Sequence, residues 1–126
     1  MSICGIGIDH IDIAKFKSVL EKRRERFIKR IFTEKERELA GQKNFLMTLA
    51  GRYVSKEAVF KALSPAKNSG ISWKDIEVLN EESGTPIVTL YGKALELFNE
   101  KNMKKIFISI SHTNTCAFAM VVVEKD

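Results

Sequence analysis

The chain has 126 residues, 44% of them hydrophobic and 29% charged, and no apolar run in it is long enough to span a bilayer. That length suits one domain, residues 1–126, which can bury roughly two-thirds of its unfolded surface without a metal or disulfide staple. A formal net charge of +5 favours anionic partners, namely nucleic acid, phosphorylated metabolites or an acidic protein. Met1-Ser2-Ile3-Cys4 has no basic stretch followed by an apolar one, so no signal peptide is read there and the cytoplasm is the expected compartment. Cys4 and Cys116 fall in apolar strand-like runs without a Cys/His cluster, predicting buried thiols and neither a disulfide nor a zinc site.

Ser2 to Asp9 alternates small and β-branched residues and ends on an acid, predicting a strand with Asp9 at its C-terminal edge. Gly5 and Gly7 lie inside that strand and lack the third glycine of a dinucleotide fingerprint, so they predict close approach of another backbone or a ligand. Asp12 is placed to cap a helix over Ile13 to about Lys22, with Phe16, Val19 and Leu20 on its inner face, and a second helical piece covers Arg26 to Ile31. Eight basic residues crowd this segment between Lys15 and Arg30, against only Glu21 and Glu25. Such a run is either a solvated helix face or a docking surface.

Thr33 with Glu36 three residues on forms a capping box, opening a helix to about Ala40 that Gly41 stops. Phe45 to Leu63 reads as an amphipathic helix, with Leu46, Leu49, Ala50, Tyr53 and Phe60 on one arc, and Ser64-Pro65 ends it. After a loop over Ala66 to Ser72, Ile76 to Leu79 and Ile87 to Tyr91 predict strands around the turn Glu81 to Pro86. Lys93 to Asn102 predicts a helix, and the runs from Ile106 and from Cys116 to Val123 predict a hairpin through His112-Thr113-Asn114-Thr115. The order predicts an α+β domain with helices against one face of a mostly antiparallel sheet.

Glu57 interrupts the apolar arc of the long helix, about 40° round from Tyr53 with Lys61 four residues on. A carboxylate there needs a cation or several donors. It forms either a buried ion pair with Lys61 or Arg52, or part of a metal or phosphate site completed from elsewhere. Asp9 is the other acid that packing alone does not explain. Two carboxylates with open positions between them suit Mg²⁺, which takes oxygen ligands and shares its shell with substrate phosphates. Lys61 then lies within reach of a phosphate oxygen, and Arg52 and Lys43 add basic groups at or just before the same helix. His112, at a strand end, either reaches into a site or bonds its own turn.

The residues also resemble a family, the holo-acyl-carrier-protein synthases within the 4'-phosphopantetheinyl transferases. The resemblance rests on Gly5-Ile6-Gly7-Ile8-Asp9, Phe32-Thr33-Glu34-Lys35-Glu36, Leu49-Ala50-Gly51-Arg52-Tyr53 leading to Lys56-Glu57-Ala58 and Lys61-Ala62-Leu63, Asp75-Ile76-Glu77-Val78, Gly84-Thr85-Pro86, and Ser109-Ile110-Ser111-His112. It runs over nearly the whole chain. It implies transfer of the phosphopantetheine arm of coenzyme A to a serine of apo acyl carrier protein, releasing adenosine 3',5'-bisphosphate, in support of fatty acid biosynthesis.

By this resemblance Asp9 and Glu57 are the Mg²⁺ ligands, and Lys61 contacts the pyrophosphate and stabilises the leaving group. Lys43, Arg52, His112 and the loop Gly84, Thr85 and Pro86 contact coenzyme A. Glu57, directly or through a metal-bound water, accepts the serine proton. The family also implies a homotrimer with active sites between protomers, and gives Lys15, Lys22, Arg23 and Arg26 the task of docking the acidic carrier protein. The sequence departs from the family's pattern at Lys15, at Ser64 to Gly70 and at Thr85. The competing function is a non-enzymatic basic adaptor for nucleic acid or an acidic protein, although no RNA-recognition signature accompanies the basic run.

Overall fold

The computed structural model describes residues 1–126 and orders them as strand Ser2–Asp12 (β1), helices Ile13–Ile31 (α1), Glu34–Gly41 (α2) and Phe45–Leu63 (α3), and a single 3₁₀ turn at Trp73–Asp75. Strands Ile76–Asn80 (β2) and Pro86–Leu90 (β3), helix Gly92–Glu100 (α4) and strands Met103–His112 (β4) and Cys116–Lys125 (β5) complete the chain. The α+β expectation holds. There are two antiparallel sheets, one of order β1-β5-β4 and a separate β2-β3 hairpin. No helix is long and apolar enough to cross a membrane.

Local signals account for most of the boundaries. The Asp12 side chain accepts from the Ala14 N–H at 3.0 Å and starts α1. The two helical pieces expected there are one helix broken at Arg23, whose φ of −135° is not helical. Thr33 and Glu36 close the capping box of α2 through bonds of 3.2 and 2.9 Å. At the other end of α3, Ser64 takes φ +50°, and Lys101 Nζ donates to the Leu63 and Ser64 carbonyls at 2.7 and 2.8 Å. The last carbonyls of the helix are thereby satisfied.

Helix α3 is central. Leu49, Ala50, Val54, Ala58, Val59 and Leu63 are fully buried, and each large one contributes about 1.5–3 kcal/mol on leaving water. Its packing on β1 requires glycine. A Cβ at Gly7 would sit 2.8 Å from the Ala58 carbonyl carbon, and one at Gly5 would lie 3.1 Å from the Ala62 carbonyl carbon, so helix and strand backbones touch at both points.

Several expectations are corrected. Strand β1 continues to Asp12, so Asp9 sits inside the strand opposite Ala119 rather than at its C-terminal edge. Helix α3 is not amphipathic: Arg52, Ser55 and Lys56 are buried with the apolar residues, while Phe60 is 42% exposed. Elements pack on most of its circumference, so one apolar stripe is not enough. Val19, expected inside, is exposed because the inner face of α1 is carried by Ile13, Phe16, Leu20 and Ile31. The two cysteines are free and only half-buried.

The buried ion pair of α3 is also not the one expected from Glu57. It joins Lys56 Nζ to Glu36 Oε1 at 2.7 Å, with both side chains wholly buried. Lys56 also donates to the Ile76 and Trp73 carbonyls at 2.5 and 3.0 Å, and Glu36 Oε2 accepts from the Val78 N–H at 2.9 Å. One pair thus ties α2, α3, the 3₁₀ turn and β2. Burial first, and Lys74 after it, lower the Lys56 ammonium pKa, while Glu36 and Glu77 oppose that shift. Lys56→Met leaves Glu36 buried without its cation and is expected to cost about 3–5 kcal/mol in urea unfolding. A loss no larger than that from a surface substitution would show that the pair carries no stability.

Candidate active site

The expected site residues fall into two clefts that share no lining residue. The first, about 440 Å³, lies along the C-terminal half of α3, with Glu57, Phe60 and Lys61 on one wall and Ile71, Trp73 and Ile76 on the other. Asp9 reaches this group from β1. Lys61 Nζ stands 3.3 Å from Asp9 Oδ1 and donates to the Ile8 carbonyl at 3.0 Å. Lys61 therefore pairs with Asp9 rather than being consumed by Glu57, its neighbour one turn away.

Burial first, then the hydrogen bond and charge of Asp9, push the Glu57 carboxyl up to about 7, against the pull of the Tyr53 hydroxyl and Lys61. Burial and the charge of Glu57 in turn push the Tyr53 hydroxyl up to about 12. Tyr53, read from the sequence as core, is thus a polar neighbour of the acid pair. Its ring also stacks on Trp73 at 5.2 Å and meets Phe16 at 5.4 Å, so the cleft wall and α1 are joined through it. Only the spacing of Tyr53 four residues before Glu57 could have signalled this, and an aromatic in an apolar arc conceals it.

Asp9 and Glu57 fit a divalent cation by the chemistry of their donors. Both are hard oxygen ligands close enough for Asp9 to raise the Glu57 carboxyl, and their repulsion is what a cation would relieve. No third acid, His or Cys joins them. Two carboxylates with the remaining positions left to water and phosphate suit Mg²⁺.

The second cleft, about 480 Å³, lies between the N-terminal half of α3, the β2-β3 turn and the end of β4. Lys43, Arg52, Gly84, Pro86 and His112 all line it. None of its lining residues is acidic, so it presents positive charge alone. Thr85 lies in the same turn without lining the cleft, and its hydroxyl accepts from Ser83 at 3.1 Å. Asn80, not singled out from the sequence, belongs to this cleft.

The sheet sets the two clefts apart. The inward rows across it are Asp9–Ala119–Ile110 and Ile11–Ala117–His112. Asp9 on β1 and His112 on β4 therefore sit on opposite edge strands, about 10 Å apart across the sheet and two residues out of register along it. Lys15, Lys22, Arg23 and Arg26 are all exposed along α1, away from either cleft lining.

A family model, the 4'-phosphopantetheinyl transferase superfamily, matches residues 5–118. The chain belongs to that superfamily. It is 43% identical to a holo-[acyl-carrier-protein] synthase of Geobacter metallireducens over 124 residues, 98% of each chain. Among solved structures it resembles the holo-(acyl-carrier-protein) synthase of Bacillus anthracis in complex with CoA (3',5'-ADP), with TM-score 0.79, 34% identity and 98% of each chain covered. It likewise resembles the Helicobacter pylori synthase in complex with coenzyme A, with TM-score 0.82, 30% identity and coverage of 94% of this chain and 99% of that one. A cleft whose only charges are cationic and, apart from it, a carboxylate pair are therefore found here in a fold that solved relatives show in complex with coenzyme A.

Because the Glu57 carboxyl titrates higher when folded than its ordinary 4.5, its contribution to stability is complete below that value and is lost as pH rises through about 7. Without added divalent cation, Glu57→Gln is expected to melt about 3 °C above the wild type at pH 8 and level with it at pH 5. A lower melting point for the variant at pH 8 would mean that Glu57 is a stabilising ion-pair partner instead.

Proposed function

We propose that this protein transfers the 4'-phosphopantetheine group from coenzyme A to a serine of apo acyl carrier protein in the cytoplasm, releasing adenosine 3',5'-bisphosphate and serving fatty acid biosynthesis. The observation that carries the proposal is the division of labour on one helix. Helix α3 turns Arg52 towards an all-cationic cleft and Glu57 and Lys61 towards an acid pair and an apolar channel. The anionic nucleotide of coenzyme A matches the first and its uncharged pantetheine arm the second.

Mg²⁺ held by Asp9 and Glu57 would neutralise charge on the pyrophosphate. Lys61, paired with Asp9 and half-exposed, places an ammonium where the leaving phosphate gains charge. The serine oxygen forms a bond to the pantetheine phosphorus as the pyrophosphate P–O bond breaks, and the serine proton passes to Glu57. Glu57 is placed for that task on the wall of the first cleft, one helical turn from Lys61. Lys43, Arg52 and His112 bind nucleotide phosphate, and the Gly84–Pro86 turn borders it. Exposed Lys15, Lys22, Arg23 and Arg26 give α1 the charge to steer an acidic carrier protein.

The assembly that fits is a homotrimer with each site shared between neighbours. The outward face of the β1-β5-β4 sheet is apolar, with Ile6 65%, Ile8 63% and Met120 48% exposed. Together with Phe107 and Phe118 these form a patch of the kind that seats another chain. Burying it would bring the acid-pair edge of one protomer towards the cationic cleft of the next.

Incubation of an apo acyl carrier protein with this protein, coenzyme A and Mg²⁺ should add one phosphopantetheine group by intact-mass spectrometry, and EDTA should prevent it. No mass gain with several carrier proteins would refute the transfer reaction. In sedimentation the wild type should run at three times the 14.3 kDa chain mass. Met120→Arg, which places a charge at the centre of the apolar face, should run as a single chain and lose turnover at least about a hundredfold; an active single chain would rule out the shared site.

A further inference from the structure

Arg52 is 6% exposed and its Nε is buried without a hydrogen-bond partner. No carboxylate forms an ion pair with it, and burial lowers its pKa despite the field of Glu36. Its guanidinium finds one side-chain partner, the Oδ1 of Asn80 at the end of β2. The other end of that amide is also used. Asn80 Nδ2 donates to the Gly84 carbonyl at 2.9 Å.

Gly84 occupies the tight part of the β2-β3 turn at φ +93°, where a side chain would be strained, and its N–H donates to the Glu81 carbonyl at 2.9 Å. The residue opposite Asn80 in the hairpin is Pro86, which has no N–H to give a ladder bond. The Glu81 N–H donates to the Thr85 carbonyl at 2.8 Å and closes the turn on its own backbone, and the Asn80 side chain adds the link from that turn to Arg52.

We propose that Asn80 is a positioning residue of the cationic cleft, its amide locking the Arg52 guanidinium to the Gly84 turn so that the two meet a nucleotide phosphate as one unit. The residue type follows from the chemistry. Only an amide offers an acceptor for the guanidinium and a donor for a carbonyl on one short planar group, and Asn, unlike Gln, does so with a single methylene. Aspartate would keep the bond to Arg52, neutralise its charge internally and set a carboxylate against the Gly84 carbonyl. Leucine would keep the shape and remove both bonds. Arg52 then lines the cleft with its guanidinium held by Asn80, a fixed cation for a phosphate oxygen. This inference rests on the transferase reading, since it takes the phosphate to be that of coenzyme A.

The test uses the full chain with Asn80→Asp and Asn80→Leu, each alone and combined with Arg52→Met. The readouts are KM for coenzyme A, KM for the carrier protein, kcat, and the calorimetric Kd for adenosine 3',5'-bisphosphate. Asn80→Asp is expected to raise both the coenzyme A KM and the bisphosphate Kd about tenfold, with kcat and the carrier-protein KM changed less than about twofold. In the Arg52→Met background the same substitution should change the Kd less than about twofold, because the residue acts through the arginine. Asn80→Leu should follow the same pattern.

A fall in kcat with both KM values unchanged marks Asn80 as structural only and overturns the proposal, as does full additivity with Arg52→Met. Wild type that binds the bisphosphate, with Asn80→Asp binding it equally, overturns this inference and leaves the transferase reading standing. Wild type that binds neither coenzyme A nor the bisphosphate removes both.

Discussion

The rest of the structure depends on the buried pair between Lys56 and Glu36. Two charges out of water at 2.7 Å are tolerated because each is also satisfied by backbone, Lys56 by the Trp73 and Ile76 carbonyls and Glu36 by the Val78 N–H. With Lys56 fixed towards α2 and β2, Glu57, rotated by about 100° along the helix, is directed away towards β1. Lys61 follows one turn later and meets Asp9. The same two carbonyl bonds hold the segment that supplies Trp73 and Ile76 to the opposite wall of the first cleft. A structural ion pair thus sets the direction of the chemical one.

The second constraint is the approach of α3 to β1, made possible where Gly5 and Gly7 leave room for the Ala62 and Ala58 carbonyls. It draws Asp9 towards Glu57, whose carboxyl is raised to about 7 by burial first and by Asp9 after it. Across the sheet the opposite imbalance holds: Arg52 is buried with no ion-pair partner in a cleft lined by cations. The first cleft brings two carboxylates together with the Lys61 ammonium, whereas the second holds no acid at all.

Much of this was legible in advance. Caps at Asp12 and Thr33, the stop at Ser64-Pro65 and the alternation of Ile106, Ile108 and Ile110 are local signals, and local signals survive into the fold. The acids Asp9 and Glu57 were conspicuous because each breaks the pattern of its own element. Lys56 was not conspicuous: a lysine beside a glutamate on a helix reads as solvated, and its partner lies twenty residues back in a capping box that already explained Glu36. Asn80 was hidden for the same reason, since an asparagine before a glycine-containing turn needs no further explanation.

The sequence by itself determined the α+β class, the element order, the family and the identity of the acids and cations, because these depend on periodicity, capping and residue spacing along the chain. Only the tertiary structure decided who pairs with whom. It gave Lys61 to Asp9 and Lys56 to Glu36, gave Asn80 to Arg52, buried α3 on most sides, and placed Asp9 and His112 on opposite edges of one sheet. Gly5 and Gly7 marked where a backbone could approach, but which element came there and which buried charges are satisfied depend on contacts far apart in the chain.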